Sequence, residues 1–166
     1  KFKDLWDFLA RVDQRIINAK VLEALIIAGA FDSMGYVRKE LLDKLPEIVS
    51  YLPAVQSFHE HEIARKARDE ENRRIDLLRE ELELKVKEAK QIAKELKKNR
   101  QIIPEHIAIL LNIKETFELA STAITDESST NYSNNALELY RRYGTLKKKP
   151  ALREKEEVPQ PQLSRL

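Results

Sequence analysis

Few side chains in this sequence can do covalent or metal chemistry, and none is spaced for it. His59-Glu60-His61 is the densest group of candidate metal ligands. On a helix, alternation by two sends the imidazoles to different sides, whereas zinc-binding helices place two His at i and i+4. His106 stands alone. The chain has no cysteine, which excludes disulfides, thiol catalysis and thiolate-bound zinc. With no Ser/His/Asp arrangement, glycine-rich phosphate loop or carboxylate pair at a turn, it offers no catalytic machinery of its own and no metal site. What remains is non-covalent binding: backbone N–H donors at a turn or helix start, aided by a local Lys or Arg, can hold a phosphate.

The stretch Ile16–Gly35 is the element that would position such a turn. Asn18 can cap the unpaired N–H groups of a helix start, and Ala19–Ala28 are mostly good helix formers. Val21, Leu22, Leu25 and Ile26 share one apolar face. Gly29 stands where a helix needs a left-handed residue to stop. Phe31 can fold back over the helix end, Asp32 and Ser33 can satisfy local amides, and a new apolar pattern begins at Val37 with Leu41, Leu42 and Leu45. A helix, a tight turn and a second helix are expected. Before them, Leu5, Trp6, Phe8, Leu9 and Val12 form a short helix with a wide apolar face, so a three-helix cluster is predicted with Trp6 in its core.

The residues Leu5-Trp6-Asp7-Phe8, Arg11-Val12-Asp13, Asn18, Val21-Leu22-Glu23-Ala24-Leu25-Ile26, Ala28-Gly29-Ala30-Phe31-Asp32, Met34-Gly35 and Arg38 together resemble the helix-hairpin-helix region of the bacterial DNA polymerase III alpha subunit, a C-family replicative polymerase. The resemblance covers about residues 2–52. It implies a module that touches the sugar–phosphate backbone of DNA, with Ala28, Gly29 and Ala30 as the turn and Arg15, Lys20, Arg38 and Lys39 as phosphate contacts, Arg38 foremost. The parent family is a DNA-directed DNA polymerase, a nucleotidyltransferase that uses magnesium held by domains outside this chain, so neither a catalytic residue nor a cofactor is implied here. A second, shorter resemblance lies at the other end. Gln162-Leu163-Ser164-Arg165-Leu166 is similar to the glutamine-led peptide with which bacterial replication proteins dock on the sliding clamp, implying Gln162, Leu163 and Leu166 as anchors. Arg165 stands there in place of an apolar residue and Leu166 in place of an aromatic.

Charged residues make up 35% of the 166 residues and hydrophobic ones 42%, with three glycines and six prolines: a helical, surface-rich chain. No apolar run approaches the roughly 20 residues of a membrane span and no signal-peptide pattern opens the chain; the expected setting is soluble and cytoplasmic, without membrane contact. A net charge of +2 does not by itself argue for nucleic acid. Through Leu52, each basic residue is matched by an acidic one, so DNA contact there must rest on a few placed groups.

Pro46 and Pro53 each fit a first helical turn, so helices are expected to restart at both. From about Phe58 to Lys98 the chain lacks glycine and proline, and Asp69/Arg73, Glu70/Arg74, Glu81/Lys85 and Glu83/Lys87 have the stabilising i,i+4 polarity. A helix of about 40 residues would extend roughly 60 Å. Its seam, Ile75, Leu78, Leu82, Ala89, Ile92 and Leu96, is interrupted by Lys85 and calls for one partner helix. Ile102, Ile103, Ile107, Leu110, Leu111 and Phe117 supply one, starting near Pro104, which predicts an antiparallel helical hairpin closing around Lys98–Ile103. Self-association through Ile75–Leu96 is the alternative. Ser121–Asn135 reads as a linker, Ala136–Tyr143 as a last helix stopped by Gly144, and the region from Lys147 onward, rich in charge and proline, as a disordered tail.

The expected fold is therefore all-α. A helix-hairpin-helix cluster (1–52) precedes a long charged helix forming a helical hairpin (53–120), then a linker with a short helix (121–144) and a disordered tail (145–166). Two functions of different class fit: a DNA-binding fragment of a replicative polymerase, with DNA, other replisome subunits and the sliding clamp as partners, or a non-catalytic coiled-coil interaction or scaffold protein. The polymerase-like pattern stops near Leu52, where the charged helix takes over.

Overall fold

The computed structural model describes residues 1–125, 133–157 and 159–165, with side chains of 123–125 excepted. Among the described residues there are seven α-helices and no β-strand, as the composition requires. The chain divides into two compact units, Lys1–Arg68 with Ala151–Leu166, and Asp69–Pro150.

The first unit is built from α1 (Leu5–Arg11), α2 (Ala19–Ile27), α3 (Arg38–Asp43) and the first part of α4 (Leu45–Lys98). Asp4 opens α1 by accepting the Asp7 amide at 2.8 Å, a conventional N-cap. Leu5, Leu9, Leu22, Ile26, Leu41 and Ile48 form the fully buried centre, one or two from each helix. Each such side chain contributes about 1.5–3 kcal/mol on burial, enough to hold helices too short to persist alone. Trp6 is half-buried and packs against this core. Gln56 is the buried polar side chain here: its Nε2 donates to the carbonyls of Leu9 (3.0 Å) and Val12 (3.3 Å), closing the end of α1.

One proline expectation is met and the other corrected. A new helix starts at Leu45 with Pro46 in its first turn, but none restarts at Pro53: the helix runs unbroken from Leu45 to Lys98 with Pro53 inside it. Pro53 has no N–H to give to the turn before it, which ordinarily breaks a helix. Here Leu52, Val55 and Gln56 on either side are buried, and that tertiary packing holds both turns in line.

In the second unit, the rest of α4 meets α5 (Glu105–Leu111), α6 (Ile113–Thr125) and α7 (Asn134–Tyr143). The expected reversal after Lys98 is present. Arg100 takes a left-handed conformation, φ 55°, with Arg100 N–H bonded to Lys97 O at 3.2 Å and Gln101 N–H to Leu96 O at 2.8 Å; this is the helix-ending pattern usually built on glycine. Ala89, Ala93 and Ile107 are buried together, with Ile103, Leu110 and Leu111 packed on them. The predicted seam holds in part: Ala89 is buried and Ile75, Leu78, Leu82 and Leu96 are half-buried, whereas Ile92 is 43% exposed and Ala93 is buried beside Ala89 instead. Ile102 is also outside the interface, at 92% exposure. The single helix expected after Pro104 is two, interrupted at Asn112. Glu81 is favoured by Lys85 as expected, and in addition accepts from Tyr143 Oη (2.6 Å) and Arg142 (3.1 Å).

The predicted linker is partly helical. Ser121–Thr125 complete α6, and Ser133 caps α7 through the Ala136 amide; Asp126–Tyr132 lie outside the described residues. Past Gly144 the described residues form no helix or strand of their own, in keeping with the composition. They nevertheless lie against folded elements. In the second unit Lys148 pairs with Asp76 at 2.6 Å and Asn72 donates to Lys149 O at 2.9 Å. In the first, Lys155 reaches Ser57 at 3.0 Å and His61 Nε2 lies 2.8 Å from Arg153 O.

Candidate nucleic-acid interface

The turn between α2 and α3 is the candidate site, and it is built as the residues between Asn18 and Arg38 dictate. Asn18 Oδ1 accepts the Val21 amide at 3.0 Å, starting α2. The helix ends by a paired closure in which Ala30 N–H bonds to Leu25 O and Gly29 N–H to Ile26 O, both at 3.0 Å. Gly29 occupies φ +79°, a conformation that L side chains reach only at a cost of about 1–2 kcal/mol. Phe31 folds back as expected and is buried against Phe8, ring centroids 5.2 Å apart in an edge contact. A 3-10 turn, Asp32–Met34, and a second left-handed glycine, Gly35, then deliver the chain to α3.

Arg38, half exposed, is hydrogen-bonded within the turn. Its Nε donates to Asp32 Oδ1 at 2.8 Å, its Nη2 pairs with Asp32 Oδ2, and its Nη1 donates to Ile27 O at 3.2 Å. The guanidinium thus brackets the turn, neutralising Asp32 and satisfying a carbonyl at the end of α2. A Cβ on Gly29 would stand 2.4 Å from Arg38 Nη2, so the absence of a side chain there gives the guanidinium its place. The pair holds the Asp32 carboxyl below its ordinary value through the hydrogen bond from Arg38, and raises Arg38 in return.

Arg15 is engaged locally as well, gripping Asp13 through Nε at 3.1 Å and Nη2 at 2.6 Å while remaining largely exposed. Lys20, in the first turn of α2, and Lys39, in the first turn of α3, are exposed, and neither makes a hydrogen bond or ion pair among the described residues. The amides of Gly29, Ala30, Asp32, Met34 and Gly35 are consumed by carbonyls within the turn. Ala28 and Ala30 are exposed and shape its surface without offering a donor to a ligand. The free positive charge of the hairpin therefore sits on Lys20 and Lys39, while Arg38 and Arg15 are internally matched. Tyr36, buried immediately after Gly35, was not among the residues the sequence singled out; only its place two residues ahead of Arg38 hinted at it.

The other predicted positions lie elsewhere. Leu163 packs against the core of the first unit, and the Gln162 carbonyl accepts from Lys44 Nζ; Leu166 lies outside the described residues. Among the described residues no group of three or more His, Asp or Glu is placed to hold a metal ion, and no helix is long and apolar enough to cross a membrane.

Comparison with known proteins bears on the same stretch. A family model described as the helix-hairpin-helix motif matches residues 1–41. The chain is 48% identical over 48 residues to DNA polymerase III subunit alpha of Campylobacter jejuni subsp. jejuni, a match covering 29% of this chain and 4% of that protein. It is 45% identical over 49 residues to DNA polymerase III subunit alpha of Staphylococcus aureus strain COL, covering 30% of this chain and 5% of the relative. The chain thus spans only about one twentieth of the length of these curated relatives. No solved structure matches it. Residues 1–41 thus match the helix-hairpin-helix motif, and the chain is similar over 48 residues to a short stretch of the bacterial DNA polymerase III alpha subunit.

Proposed function

We propose that the first unit is a DNA-contacting module of a bacterial replicative polymerase alpha subunit, holding the sugar–phosphate backbone during synthesis carried out by other parts of that protein. The single observation that carries this reading is the coincidence of the matched motif with a turn whose geometry is fixed and whose two flanking lysines are uncommitted. Lys20 and Lys39 are the phosphate contacts, and Arg38 is a positioning residue that sets the approach of α3 to α2. Balanced charge around the hairpin makes the contact local, so affinity is modest and register is set by geometry. Partners on this reading are DNA and other replisome subunits, in the cytoplasm.

A salt titration of duplex binding tests it. Each neutralised phosphate contributes a slope of about −0.9 in log affinity against log salt. A Lys20→Ala/Lys39→Ala chain should lose close to two such increments and retain its melting temperature. Binding with unchanged slope in that variant, or no binding by the parent chain at low salt, overturns the assignment.

A further inference from the structure

The groove bounded by Asp4, Tyr36, Glu40 and Lys44 already has an occupant, and its chemistry is not that of a nucleic acid. Glu40 and Lys44, four residues apart on α3 and its C-cap, share one face and pair at 3.7 Å, and Tyr36 precedes them in the extended hairpin exit. Asp4 joins them from the start of α1. Tyr36 is buried and its Oη accepts the Leu5 amide at 3.3 Å, which ties the groove to the start of α1. With two carboxylates against one lysine, its charge repels phosphate and favours a basic ligand.

The end of the chain has the matching pattern. Lys44 Nζ donates to Gln162 O, and the Ser164 amide donates to Glu40 Oε1 at 3.1 Å. Arg165 Nη2 donates to Tyr36 Oη at 2.9 Å, stacks over its ring at 4.9 Å and lies 3.7 Å from Asp4 Oδ2. Leu163 packs on the core, and Arg165 forms an antiparallel bridge with Tyr36. Alternate residues, Leu163 and Arg165, thus engage the groove with their side chains while the backbone between them is held by Glu40 and Lys44, which is how an extended segment is read. We infer that this groove is a peptide-recognition surface whose ligand is the chain's own Gln162–Arg165 segment, bound in cis as a latch across α1, the hairpin exit and α3.

The absence of cysteine allows a direct test in the full chain. A Glu40→Cys/Ser164→Cys pair should close to a monomeric disulfide at least about tenfold faster than the control pair Glu23→Cys/Ser164→Cys, because docking raises the local thiol concentration. Adding Leu163→Asp and Arg165→Glu should erase that advantage. In the chain without cysteines, the Ser164 amide should exchange more slowly with solvent than in the Leu163→Asp variant. Equal closure rates for the two pairs overturn the latch, and a predominantly dimeric disulfide overturns its cis placement by showing the tail in a second copy. Neither measurement involves DNA, so failure of the DNA reading leaves this test intact.

Discussion

The guanidinium of Arg38 and the carboxylate of Asp32 close over Gly29, joining the end of α2 to the start of α3. The residue most suggestive of a phosphate ligand is thereby spent on the turn that would present the ligand. The hairpin separates two tasks that basic residues often combine: Arg38 fixes the corner, and the lysines beside it remain free.

Gly29→Ala should destabilise the first unit by about 1–2 kcal/mol from the left-handed backbone alone. The added methyl also meets the guanidinium at 2.4 Å, so the Arg38–Asp32 pair should open and solvent exchange of the Asp32 and Gly35 amides should accelerate. Urea unfolding gives the first quantity and exchange rates the second.

Arg38→Ala and Lys39→Ala should weaken DNA binding in distinguishable ways. Removing Lys39 lowers the salt slope by about 0.9 and leaves thermal stability unchanged, as expected for an exposed side chain without a partner. Removing Arg38 lowers the melting temperature and the affinity while the slope stays near its parent value. Parallel melting and binding curves separate the two.

Acid should loosen the turn through Asp32. Its carboxyl is held below 3.8 in the folded chain by the Arg38 hydrogen bond, so the stabilisation is fully present above 3.8 and is lost as pH falls through the lowered folded-state value. Asp7 and Asp13 are lowered too, by the Lys3 amide and by Arg15 respectively. The difference between the parent and an Asp32→Asn chain, followed by melting temperature from pH 6 downward, isolates the Asp32 share and should shrink toward zero at the acid end.

Gln56→Ala should cost about 1–3 kcal/mol, because it strands the carbonyls of Leu9 and Val12 that the side chain now satisfies at 3.0 and 3.3 Å. The loss is expected in urea unfolding of the first unit, with the salt slope of DNA binding unchanged.

In the second unit, alkali should act on Tyr143. Burial, followed by its hydrogen bond to Glu81, pushes its pKa above 10.0. The stabilisation is therefore intact below 10.0 and fades as pH rises through the raised value. Tyr143→Phe should abolish this alkaline dependence, measured by helix content against pH.

The parts of this protein legible in the sequence are those decided within a few residues. Asn18 caps, Gly29 stops and Phe31 folds back because an unpaired amide, a left-handed φ and an apolar ring have nearby solutions that depend little on the rest of the chain. The all-α class follows from the same local preferences. The orientation of Arg38 was not legible in this way: from the sequence it is a cation near a turn, and only the folded corner brings Asp32 and the Ile27 carbonyl to its fork.

Tertiary contact decided the remainder. Pro53 continues a helix because its neighbours are buried against α1, and Arg100 does a glycine's work because α5 must fold back on Ala89 and Ala93. Ile92 yields to Ala93, the residue buried beside Ala89 against Ile107. The tail finds a groove whose walls come from residues 4, 36, 40 and 44. Pattern along a chain records which backbone conformations are cheap, whereas the choice among partners of similar chemistry is made by distance, and distance exists only after folding.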